Sequence, residues 1–139
     1  MVTKTYGASN CGYFVEGVHP EDKKFLAHGK EMCKGVFSCF VKENEVVTHG
    51  QRVKKTFNPV HRDQTEMEWS FYTSDNPDVK MITELGVTRI GTIMVTSPDT
   101  KRGLHRQLEL SMYFGGTEIT VTARDIASGN MSQANFDFF

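Results

Sequence analysis

Hydrophobic and polar residues alternate with a period of two through much of the chain. Leu108, Leu110, Met112 and Phe114 alternate with Glu109, Ser111 and Tyr113, and Ile119, Val121 and Ala123 alternate with Glu118, Thr120, Thr122 and Arg124. Period two gives a strand one apolar and one polar face. Gly115-Gly116 lies between the two runs, so the pattern predicts a β-hairpin, and Ser128-Gly129 predicts the turn that follows it. The tail Asn135–Phe139 alternates again and suits a last strand. In the middle of the chain, Met67, Trp69 and Phe71 alternate with Glu66, Glu68, Ser70 and Tyr72, ahead of a turn cluster at Asp75–Asp78. Arg89–Thr96 reads as a further strand ended by Ser97-Pro98-Asp99, and Val53–Phe57 as a shorter one before Asn58-Pro59.

Only Pro20–Phe40 departs from this rhythm. Pro20 suits a first helical position, Glu21 and Asp22 complement a helix N-terminus, and Phe25, Leu26, Met32, Cys33, Val36 and Phe37 fall near helical spacing. Gly29 and Gly35 interrupt the run, which predicts one or two short helices rather than a long one. Short strands parted by turns, with one helical insertion near the start, predict an antiparallel sandwich or barrel.

The bulk numbers narrow the function classes. The chain has 139 residues, enough for one domain with a sizeable core, and its 38% hydrophobic and 24% charged content is that of a folded globular protein. A formal net charge of −1 gives no basic footprint for nucleic acid. No apolar run approaches the roughly 20 residues of a membrane helix, and the first ten residues carry no secretory signal. The three cysteines, Cys11, Cys33 and Cys39, lack C-x-x-C spacing, which points to free thiols in a reducing compartment, most simply the cytoplasm.

Enzyme chemistry finds little support. The five histidines show no H-x-x-x-H or H-E-x-x-H spacing for a metal, and no phosphate-cradling glycine motif is present. Glu66 and Glu68 lie two apart on a strand and read as a solvated face. What remains is an apolar group, Phe57, Val60, Met67 and Trp69, around one polar loop. If Val53–Phe57 and Met67–Tyr72 pair as a hairpin, Phe57, Met67 and Trp69 share a face. That face is either plain sandwich core or an apolar cleft for polypeptide, and a flexible Met beside aromatics suits a site that accepts varied side chains.

Four stretches carry a resemblance that spans most of the chain: KTYGASNCG, VFSCFVKENEVVTHGQRVKKTFNPV, VKMITELGVTRIGTIMV and QLELSMYFGGTEITVTARDIASG. The last, with its Ala-x-Asp and Ser-Gly features, is the most specific. They resemble the C-terminal substrate-binding domain of the 70-kDa heat-shock chaperones, most nearly the divergent member-12 branch with its A and B proteins. The resemblance implies an antiparallel two-sheet β-sandwich with an extended peptide held between loops at one end. Carried over by position, Ala8, Phe57, Met67, Trp69 and Leu108 line the pocket. Cys11 and Val60 form the arch over the peptide, and Asn10, Asn58 and Gln64 contact its backbone. Arg102 falls in the family's loop of basic and glycine residues.

The departures from the family pattern are at the pocket itself. Trp69 stands where the family usually has an aliphatic residue, and Met67 where it has a small one, so bulk there shrinks or closes the pocket. The Pro20–Phe40 insertion follows a peptide-facing loop and is placed to cover or reshape the groove. By the same resemblance the chain is a lidless piece of a longer protein. It needs no cofactor of its own, and ATP is expected only in an ATPase domain outside it. The expected partners are hydrophobic polypeptide segments or client proteins. A homodimer through an unpaired edge strand is a further possibility. The alternative is an adaptor with a closed groove that docks folded partners on its surface.

Overall fold

The alternating segments pair into two antiparallel sheets. The computed structural model describes residues 4–27, 29–46, 50–59, 61–115 and 118–137. In chain order its strands are β1 (Thr5–Tyr13), β2 (Lys24–Ala27), β3 (Lys30–Val41), β4 (Arg52–Phe57), β5 (Glu66–Ser74), β6 (Thr88–Thr96), β7 (Leu108–Gly115), β8 (Glu118–Asp125) and β9 (Met131–Asp137). One sheet has the order β2-β3-β1-β5-β6, the other β4-β7-β8-β9. The apolar faces read from the sequence meet between them. Tyr6, Phe71, Ile93 and Val95 of the first sheet pack with Leu108, Leu110, Met112, Ile119 and Val121 of the second. Each such side chain removed from water contributes about 1.5–3 kcal/mol.

The predicted hairpins are partly as expected. β7 and β8 pair over their whole length, from Leu108↔Asp125 to Gly115↔Glu118. Gly116 of the predicted turn, Val60 and the final Phe138-Phe139 lie outside the described residues. β4 and β5 do not pair as a hairpin: β4 pairs with β7 in one sheet, and β5 with β1 and β6 in the other. Phe57 and Trp69 still meet, because the two strands face one another across the sandwich, with ring centroids 5.9 Å apart.

The expected helical insertion is a β-hairpin. Beyond one 3-10 turn at Glu21–Lys23, residues 24–27 and 30–41 are strands, with Ala27 opposite Lys30. Gly29 and Gly35 have φ of 75° and 73°, a conformation that closes a tight turn and kinks a strand but ends a helix. Lys24 ties the arm together: it lies 3.2 Å from Glu31 on β3 and over the Phe14 ring. Past the end of β2, residues 80–82 take over the outer edge of β3, where Phe37 N–H donates to Lys80 O and Ile82 N–H to Gly35 O.

Gly91 shows how closely the two sheets approach. It pairs with Phe71 across β5–β6, and a Cβ there would collide with the Phe136 ring of β9. Phe136 in turn packs on Phe71 at 5.7 Å. Gly91→Val should therefore lower unfolding free energy by about 1–3 kcal/mol in a urea titration, the usual cost of overpacking. Unchanged stability would show that Phe136 does not hold this position.

Candidate functional site

β1 and β5 pair only in part. Their ladder runs from Thr5↔Ser74 to Ala8↔Phe71 and stops there, although β1 continues to Tyr13 and β5 reaches back to Glu66. Over Ser9–Tyr13, β1 keeps β3 on one side and, among the described residues, has no ladder partner on the other. The divergence opens a cleft of about 780 Å³ at this end of the sandwich. It is lined by Ser9–Tyr13 of β1 and by Met67, Glu68 and Trp69 of β5. The loop after β4 closes one end, and the β2–β3 arm forms an outer wall with Ala27, Lys30 and Met32.

Seven of the residues singled out from the sequence line this one space: Asn10, Cys11, Phe57, Asn58, Gln64, Met67 and Trp69. Ala8 and Leu108 do not. Both are fully buried in the core. Met67 and Trp69 are themselves 4% and 6% exposed, so the bulk expected at these positions shuts the floor of the cleft. Val60 lies outside the described residues.

The polar residues differ in what they already hold. Asn58 Nδ2 donates to Arg106 O at 2.8 Å, and Gln64 Nε2 to Glu66 O at 3.0 Å. Gln64 Oε1 accepts from His61 N–H. These two side chains shape the loop from within. Asn10 is different: its Oδ1 is buried with no hydrogen-bond partner among the described residues. A buried acceptor without a donor costs about 1–3 kcal/mol. Burial pushes the Cys11 thiol above its ordinary range, with Cys33 adding to the rise and Lys34 opposing it. Cys11 therefore faces the cleft as a neutral thiol.

Sequence reasoning missed two parts of the site. Tyr13 and Met32 line the cleft, but the segment holding Met32 was expected to be helical. The signal was Gly29 just before Lys30, which pairs with Ala27. The other is Arg106, 1% exposed, which fastens the surrounding loops. Its guanidinium donates to Gly103 O, Ser97 O, Ser97 Oγ and Arg62 O at 2.9–3.1 Å. Ser97 Oγ passes the chain on to buried Asp125, which also accepts from Ser128 Oγ at 2.6 Å. The Ala-x-Asp and Ser-Gly features of the last hairpin are thus Ala123 in the core and Asp125 and Ser128 in this network.

Comparison with known proteins fits this architecture to a lineage. The chain is 32% identical over 137 residues to heat shock 70 kDa protein 12A of Homo sapiens, covering 96% of this chain and 20% of the relative. It is related to the member-12 branch of the heat-shock 70-kDa family. The mouse 12A protein matches at the same 32% identity, and human heat shock 70 kDa protein 12B at 30% over 142 residues. This heat-shock 70-kDa segment thus spans about a fifth of the length of the relatives it matches, 20–21%. No protein-family model matches it. Among the described residues, no cluster of His, Cys, Asp and Glu is arranged to hold a metal ion, and no helix is long and apolar enough to cross a membrane.

Proposed function

We propose that this heat-shock 70-kDa segment binds extended polypeptide in the cleft between β1 and β5, as a chaperone-like holding module. One observation carries the reading: two strands that pair up to Ala8↔Phe71 then separate over an apolar floor. The flank of Ser9–Tyr13 away from β3 has no ladder partner among the described residues, and such a strand edge is the feature through which a peptide adds to a sheet by main-chain hydrogen bonds. Because β1 and β5 are antiparallel to each other, an inserted strand can run antiparallel to only one of them. Main-chain bonds then come chiefly from one edge, and the facing strand supplies side-chain contact. The cleft volume lies in the ordinary range of ligand pockets, about 300–1,000 Å³. Three free cysteines fit a reducing, cytosolic setting.

Trp69 is the single tryptophan and borders the cleft, so it reports on occupancy. Titration with a short extended apolar peptide should give a saturable emission shift. Met67 is core, so the discriminating substitution is Met32→Asp on the half-buried outer wall, which should abolish the shift and leave the fold intact. Lys80→Ala, outside the cleft, should not change it. No shift at about millimolar peptide, a binding free energy weaker than about −4 kcal/mol, would refute the reading. The chain would then be an adaptor that meets partners through its surface.

A further inference from the structure

Gly12 lies inside β1 where neither the backbone nor the packing of the protein calls for a glycine. Among the described residues, seven glycines have positive φ, a conformation that disfavours other residues. At three more a Cβ would press on a neighbour: Gly7 on Ser38 O and the Phe37 ring, Gly91 on the Phe136 ring, and Gly115 on the Tyr113 ring. Gly12 has neither reason. Its φ is not positive, and a Cβ there would meet only Val36, at an ordinary 3.8 Å. Glycine inside a strand weakens it, and it often marks a place where a ligand or another backbone comes close.

We propose that Gly12 is the specificity-determining position of the cleft, and that the space beside it receives one large apolar side chain of a bound extended segment. The proposal rests on the peptide-binding reading above and names the residue that sets its selectivity. Gly12 lines the cleft, on the stretch of β1 that has passed the end of the ladder with β5. Strand alternation puts it on the face that carries Tyr6 and Ala8 into the core, turned toward the second sheet. Phe57 of that sheet and Leu104, both half-buried, line the same space and supply apolar contact. The volume that a side chain at position 12 would fill is open, because a Cβ there has one neighbour. A segment added along the edge of β1 can lay a large side chain across the glycine, as large side chains cover glycine between paired strands. Any side chain at position 12 competes for that volume.

The test uses two extended peptides that differ only at a central Leu or Ala, with binding to the intact chain followed by anisotropy of a labelled N-terminus. The parent should bind the Leu peptide about tenfold or more tightly than the Ala peptide. Gly12→Val fills the open volume with a side chain that suits a strand. It should cut the preference to about twofold or less and leave the Ala peptide bound as before. Gly12→Ala should narrow the preference in the same direction and less far, with a urea midpoint no lower than the parent's. It keeps the test decisive if Gly12→Val does not fold. Equal binding of the two peptides by the parent would overturn the proposal. So would an equal loss for both peptides, or a preference that neither substitution changes. Failure of both peptides to bind the parent would instead overturn the peptide-binding reading on which it rests.

Discussion

Arg106→Ala should lower unfolding free energy by about 3–5 kcal/mol, the cost of removing one member of a buried charged network. Four acceptors lose their donor at once: the carbonyls of Gly103, Ser97 and Arg62, and Ser97 Oγ. Asp125 stays buried and loses the cationic end of the relay through Ser97. For a chain of this size the loss corresponds to a fall in melting temperature of roughly 10–20 °C. Arg106→Lys keeps a charge but not the planar fork that reaches three separate segments, so it should recover little. Exposed Arg102→Ala should stay within about 0.5 kcal/mol of the parent. Thermal and urea unfolding of the three variants decide the matter. Equal stability of the Arg106 and Arg102 variants would show that the network contributes nothing.

The contrast between these two arginines shows what the sequence made legible. Both sit in one stretch, Lys101–Gln107, and nothing in the local pattern separates a buried guanidinium from a solvated one. The distinction arises because residues 97, 62 and 125 converge from three remote parts of the chain. The strands were readable where one face is buried and the other wet. β8 follows the alternation residue by residue, and β5 and β7 break it only where Ser74 and Ser111 are also buried. The β2–β3 arm mimics a helix in sequence because its apolar positions fit helical spacing. Two glycines with positive φ decide against a helix, and their backbone conformation is not visible in the spacing. Phe57, Met67 and Trp69 come together, but not through a β4–β5 hairpin. The expected hairpin does not form, yet inward-facing residues of strands in opposite sheets meet across the core. The splitting of β1 from β5 had no signal in the sequence, because register between strands about 60 residues apart is set by the whole fold.

Trp69→Ala should destabilise the chain and at the same time improve its grip on aliphatic peptides. Trp69 is 6% exposed and packed on Phe57, and truncating a buried tryptophan costs about 3–5 kcal/mol. The cost arises from lost contacts and from the cavity left beneath the cleft. That cavity adjoins the floor, so an apolar side chain of a bound segment can fill it and recover part of the loss. Burying a leucine side chain contributes about 1.5–3 kcal/mol, so a Leu-centred peptide should bind roughly ten- to hundredfold more tightly than to the parent. A Trp-centred peptide, deprived of its ring partner, should gain less. Peptide anisotropy gives the affinities, and denaturant unfolding gives the stability. A stability loss with no gain for the leucine peptide would mean that the space vacated by Trp69 collapses or is sealed from the cleft. Opposite changes in stability and affinity would show that one indole both completes the core and sets the depth of the site, so its bulk trades pocket depth for stability.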